Sequence, residues 1–187
     1  MSNKEDSLSN KDAVVAKLGE VVAIDAPYSA GDDGYKWFSL PEEPDFTAAR
    51  AMTELGESAK YVVEKMREMK MDEREMILFG ASQGGAMALY LTLTGMIRPL
   101  TTIAAVPFYF HELADKVENK ETPILWIAAG RDERIPRDVG ALWKNISAAG
   151  ANLKYCIDPG SEHNVWTASF NYKILEYALP IIKRMGR

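Results

Sequence analysis

The apolar residues fall into short runs separated by stretches of helical period. Ser9 to Leu18 reads as a short helix, with Ser9 or Asn10 placed to cap its start and Gly19 just past its end. Glu20 to Pro27 predicts a strand that runs into a proline-containing loop. Phe46 to Lys70 predicts a long amphipathic helix, because Met52, Leu55, Ala59, Val62, Val63, Met66 and Met69 share one face at helical spacing. Its methionines read as core packing. Met76 to Gly80 predicts a strand, and Gly85 to Ile97 a helix apolar almost all round, as in a helix buried between layers. Thr101 to Pro107 predicts another strand, and Pro123 to Gly130 is a continuous apolar run of the kind buried on both faces. Val139, Leu142, Trp143, Ile146 and Ala149 give the next helix its buried face. Leu153 to Asp158 is the last predicted strand, and Val165 to Met185 a C-terminal helix with a kink expected near Pro180. Strands alternate with helices and no repeat interrupts them. The pattern predicts an α/β fold, a mostly parallel sheet with helices on both faces, in a single domain over 1–187.

One stretch departs from this alternation. From Tyr28 to Pro44 the residues are glycine, aspartate, proline and aromatics, with Tyr35, Trp37 and Phe38 close together. A long loop of this kind often binds a ligand. Equally, Trp37 and Phe38 can plug the loop onto the core.

Composition narrows the picture a little. A length of 187 residues suits one domain with a substantial core. A formal net charge of -5 offers no basic footprint for nucleic acid or an anionic membrane. Met1 to Asp12 is too polar for a secretory signal, and no apolar run reaches bilayer-spanning length, so a cytoplasmic location is expected. Cys156 is the single cysteine, which excludes an intrachain disulfide and a thiol-rich metal site. Its alternating apolar setting marks it as a buried, inert thiol.

The candidate chemistry lies in Gly80-Ala81-Ser82-Gln83-Gly84, a G-x-S-x-G turn with a strand before it and a helix after it. A serine at such a corner is held in a strained conformation that lifts its hydroxyl clear of the sheet, and a Cβ on either flanking glycine crowds the corner. The following helix turns free N–H groups toward the hydroxyl, where negative charge develops in acyl transfer. Because a serine hydroxyl is a weak nucleophile, it needs a base, and the base needs a carboxylate to fix its tautomer. In a doubly wound sheet such groups gather at the carboxyl ends of the strands. Asp132 lies just past the strand ending at Gly130, and His163 follows the last strand, giving the order Ser, acid, His. His111, in a stretch that opens a helix, is the rival base, and Glu133 and Asp158 are rival carboxylates. Asp132 leads because it comes early in a loop that turns at Pro136.

Gly80-Ala81-Ser82-Gln83-Gly84-Gly85-Ala86, the Asp-x-x-Ile-Pro segment at Asp132 and the histidine loop at His163 together resemble the phospholipase/carboxylesterase family of α/β-hydrolases. That family includes acyl-protein thioesterases and bacterial carboxylesterases. The Ala26-Pro27 strand end and the aromatic loop at Trp37 and Phe38 are similar too, and the likeness runs from about residue 11 onward. It implies hydrolysis of small or lipid-like acyl esters or thioesters through a Ser82 acyl-enzyme, with no metal or cofactor. Gln83 N–H is then an oxyanion donor, and Trp37, Phe38, Phe108 and Tyr109 are candidates to line an acyl pocket. A homodimer is open beside a monomer.

The chain departs from the family at its start. Family members open with a strand ending in a His-Gly loop that supplies the second oxyanion N–H, and this chain has neither. Losing one such donor costs about 2.7–4 kcal/mol of transition-state stabilisation. The absent strand normally lies between the Val21 and Met76 strands, which must then pair directly or have the gap filled. An N-terminally shortened or degenerate member is therefore expected. The first reading is a serine esterase or thioesterase, impaired to that extent. The second is a non-catalytic hydrolase-like binding protein. A peptidase or dienelactone-type hydrolase is a third, although the latter usually employs cysteine. A triad pulled apart favours the binding protein; a formed one with no second N–H donor facing the serine favours an enzyme of impaired chemistry.

Overall fold

The structure is a computed structural model that describes residues 17–31, 34–135 and 139–184. The helix expected over Ser9 to Leu18 lies outside the described residues apart from Lys17 and Leu18. The chain divides into two compact units, one up to Met71 and one from Asp72.

The first unit corrects one expectation. Glu20 to Pro27 forms no strand. Val21 and Val22 are exposed at its start, and it joins no hydrogen-bonded ladder among the described residues. Beyond it, the expected loop contains a small antiparallel ribbon, β1 (Tyr28–Ser29) against β2 (Tyr35–Lys36). Helix α1 (Ala48–Glu68) follows, with the Thr47 side chain accepting from Arg50 N as its N-cap. Its buried stripe is Ala51, Leu55, Ser58, Ala59, Val62 and Met66. The stripe is rotated from the one expected, and Met69 is exposed at the helix end. Ser58 belongs to it because its hydroxyl donates to Trp37 O at 2.6 Å. Glu54 accepts from Ser39 N at 2.6 Å, so α1 pins the aromatic loop at neighbouring points. Lys36 pairs with Glu43 across the same loop.

The second unit holds the parallel sheet: β3 (Ile77–Ala81), β4 (Thr101–Ala105), β5 (Ile124–Ala129) and β6 (Leu153–Asp158), ordered in space as in sequence. Every pairing is parallel, so all the carboxyl ends lie along one rim. Helix α2 (Gln83–Leu93) packs on β3 and β4, α3 (Val139–Ala148) on β6, and α4 (Ala168–Lys183) on β4 and β5. Successive residues of β4 reveal the layers. Thr102 bonds Thr92 of α2 at 2.6 Å, whereas Thr101 faces Tyr177 of α4. Side chains alternate along a strand, so α2 and α4 cover opposite faces. Trp126 pairs in register with Ala104, and its ring meets Tyr155, which stacks on Trp143 of α3 at 5.0 Å. That places α3 on the α2 side. The architecture is the expected α/β one, with β4 buried along its whole length.

Helix α4 starts at Ala168 rather than Val165 because Thr167 caps it by accepting from Phe170 N. Pro180 lies inside it. Among the described residues no helix is long and apolar enough to cross a membrane.

Candidate active site

Ser82 stands between β3 and α2 with φ 53 and ψ -119, a conformation rare outside glycine. The strain is held by the backbone. Ser82 N donates to Ala105 O at 3.0 Å, and Ser82 O accepts from Ala86 N and Phe108 N. The first glycine of the motif is demanded by the last: a Cβ on Gly80 would stand 1.9 Å from Gly84 O.

Asp132 follows β5, and its Oδ1 accepts from Arg134 N at 2.9 Å and Ile135 N at 3.1 Å. The loop bonds thus aim the other oxygen, Oδ2, at His163 Nδ1, 2.7 Å away. His163 Nε2 in turn lies 2.8 Å from Ser82 Oγ. A carboxylate only accepts, so the proton of the neutral ring sits on Nδ1 and Nε2 is left to accept the serine O–H. Both side chains of this hydrogen-bonded pair are largely buried, 8% and 5% exposed, which shields the pair from water. The histidine loop is fixed by Trp166, whose Nε1 donates to His163 O at 3.2 Å while its ring stacks on Phe170.

The structure therefore brings Ser82, Asp132 and His163 into one hydrogen-bonded chain. Gln83 is buried at the first position of α2. Phe108 and Tyr109 follow β4, half-buried and stacked on one another, with Phe108 N bonded to Ser82 O. Trp37 and Phe38 belong to the first unit, and Phe38 is fully buried. Of the rivals, His111 is exposed and opens a short helical turn (His111–Lys116), and Glu133 is exposed. Cys156 is half-buried, and burial pushes its thiol up from its ordinary value, which keeps it protonated. No group of His, Cys, Asp or Glu suited to a metal ion occurs among the described residues. A cavity of about 530 Å³ opens on the α3 side of the sheet, with Trp126, Tyr155, Ile157 and Asp132 in its lining.

A model of the phospholipase/carboxylesterase family matches residues 21–176. The chain belongs to that family. As a phospholipase/carboxylesterase family member it is 31% identical over 111 residues to acyl-protein thioesterase 1 of Neurospora crassa, a match covering 55% of this chain and 45% of that protein. The chain thus spans under half the length of the curated relative it matches. Among solved structures it resembles esterase PE8 with a TM-score of 0.78 at 23% identity, covering 96% of this chain and 87% of that one. The carboxylesterase of Bacillus cereus gives 0.73 at 16% identity, covering 96% and 84%. These likenesses establish the α/β-hydrolase fold.

Residues that sequence reasoning missed surround Asp158. Burial opposes its charge, but hydrogen bonds from Lys173, Thr167 and Ser161 outweigh that and hold the carboxyl well below the usual range. Unfolded, it reverts to about 3.9, so between the two values the unfolded chain binds more protons and stability rises with pH. Its contribution is complete above about pH 5 and fades as pH falls through 4 toward the folded value. Thermal unfolding followed from pH 5 downward is expected to show a shallower loss of Tm in Asp158→Asn than in the wild type. Equal slopes would refute that role.

Proposed function

We propose that this chain is a serine hydrolase cleaving carboxylic esters or acyl thioesters through a Ser82 acyl-enzyme. The observation that carries the reading is the continuous Ser82–His163–Asp132 chain, at 2.8 and 2.7 Å, on a strained elbow. A non-catalytic binding protein has no need to hold these three groups in register at the cost of backbone strain.

In the proposed reaction His163 Nε2 takes the Ser82 proton as Oγ attacks the acyl carbonyl carbon. The carbonyl π electrons move onto oxygen, and the resulting oxyanion accepts the Gln83 N–H at the positive end of α2. Asp132 stays ionised and balances the imidazolium. The imidazolium then protonates the departing alkoxide or thiolate as the acyl–O or acyl–S bond breaks. A water, deprotonated by the same imidazole, attacks the acyl-enzyme, releases the carboxylic acid and restores Ser82. Phe108, whose N–H is bonded to Ser82 O, and Tyr109, stacked on its ring, supply the proposed apolar wall for the acyl group.

A fluorophosphonate probe tests the reading directly, since it phosphonylates only an activated serine. Wild-type protein is expected to take up the label stoichiometrically and Ser82→Ala to take up none. Absence of any Ser82-dependent labelling would overturn it.

A further inference from the structure

Asp158 ends β6 outside the Ser82–His163–Asp132 chain, yet its side chain is 3% exposed and charged. A carboxylate is buried at such cost only where it is fully bonded. Its Oδ2 accepts from Ser161 Oγ at 2.8 Å and from Thr167 Oγ1 at 2.7 Å, and its Oδ1 from Lys173 Nζ at 2.9 Å. These donors bracket the histidine. Ser161 stands two residues before His163 and Thr167 four after it, and Ser161 Oγ also accepts from Thr167 N at 3.0 Å. The loop is therefore closed on itself by bonds on both sides of His163 in the chain.

The same node reaches the carboxylate loop. Ser161 O accepts from Arg131 N at 2.9 Å, and Asp158 O accepts from Gly130 N at 2.8 Å. The two loops run so close that a Cβ on Gly130 would stand 2.7 Å from Pro159 Cα. Ser161, buried and bonded to Asp158 through side chain and backbone, thus fixes both the base and the residue next to Asp132. Asp158 is buried but its partner Lys173 is 28% exposed, and since apolar replacement of even a fully buried ion pair is often neutral, stability alone is a weak reason for this one. Its position gives a better one.

We propose that Asp158 is a positioning residue for His163: through Ser161 and Thr167 it sets the histidine loop, and through the Ser161 carbonyl it sets that loop against Asp132. The proposal rests on the hydrolase reading above for its kinetic consequence but not for its geometric one. Lys173 neutralises Asp158 from α4 and holds it in place.

The test uses the full chain at a temperature where each variant is folded, with active sites counted by fluorophosphonate. In Asp158→Asn, kcat per active site on p-nitrophenyl butyrate is expected to fall about 10- to 100-fold, with KM within about threefold, as for a misplaced base. The downfield proton resonance of His163 Nδ1–H is expected to broaden or vanish in the same variant. Should Asp158→Asn not fold, Thr167→Val removes one of the bonds, and Thr167→Ser, which keeps the hydroxyl, is expected to recover the kcat lost in Thr167→Val. An unchanged resonance with wild-type kcat per site in Asp158→Asn overturns the proposal, as does a Thr167→Ser indistinguishable from Thr167→Val. Failure of the hydrolase reading looks different: the wild type does not label, while the resonance still reports the geometry.

Discussion

Asp132→Asn is expected to lower kcat by about ten-thousand-fold while the protein stays folded, the size of loss that follows when a triad base is forced into the wrong tautomer. The local bonds explain why the amide cannot escape. Asp132 Oδ1 accepts from Arg134 N and Ile135 N, and an asparagine keeps both by placing its carbonyl oxygen there. Its NH2 then faces His163 Nδ1, which must accept. The ring proton moves to Nε2, and Nε2 donates to Ser82 Oγ instead of taking its proton. Flipping the amide leaves two backbone N–H groups facing another N–H donor, at about 1–3 kcal/mol each where buried. Ester turnover and fluorophosphonate labelling should fall together in this variant. Wild-type labelling in folded Asp132→Asn would remove Asp132 from the proposed mechanism.

The parts of the chain that were legible are those in which local pattern and tertiary setting agree. Leu153–Asp158 forms over the expected residues as a part-buried strand interrupted by Lys154, and Pro123 to Gly130 contains β5, because a strand buried on both faces writes itself as an unbroken apolar run. Ser82, Asp132 and His163 are legible as candidates because each lies in the turn or loop that follows a strand of the sheet, and parallel pairing puts those ends on one rim. Glu20 to Pro27 misled for the converse reason. A short apolar run records a tendency to extend but not whether a neighbour is there to pair with, and this segment joins no ladder among the described residues. The pattern puts the start of α4 at Val165, three residues early, since Val165 and Trp166 read as helix entry but serve the histidine loop. The Asp158 network had no spacing signature at all. Only Thr167, a threonine before an apolar helical run, carried a readable signal, that of an N-cap.

Gly80→Ala is expected to destabilise the protein by about 3 kcal/mol or more, at or beyond the upper end of ordinary overpacking. The added methyl would lie 1.9 Å from Gly84 O, 2.3 Å from Gly84 C and 2.8 Å from Gly85 N. All three are backbone atoms at the start of α2, so no side chain can swing aside to make room. Relief requires moving the first turn of α2 away from β3. That turn includes Gln83 and is tied to the elbow through Ala86 N and Ser82 O. Any shift therefore also relaxes the φ of 53 at Ser82 and carries its hydroxyl away from His163 Nε2. Stability and reactivity are consequently coupled at this residue in a way they are not at Asp132. Denaturant unfolding should show a lowered midpoint with an unchanged slope, and the molecules that remain folded should label more slowly at Ser82. A Gly80→Ala protein with the wild-type midpoint and labelling rate would mean that the strand-to-helix corner does not have the geometry described.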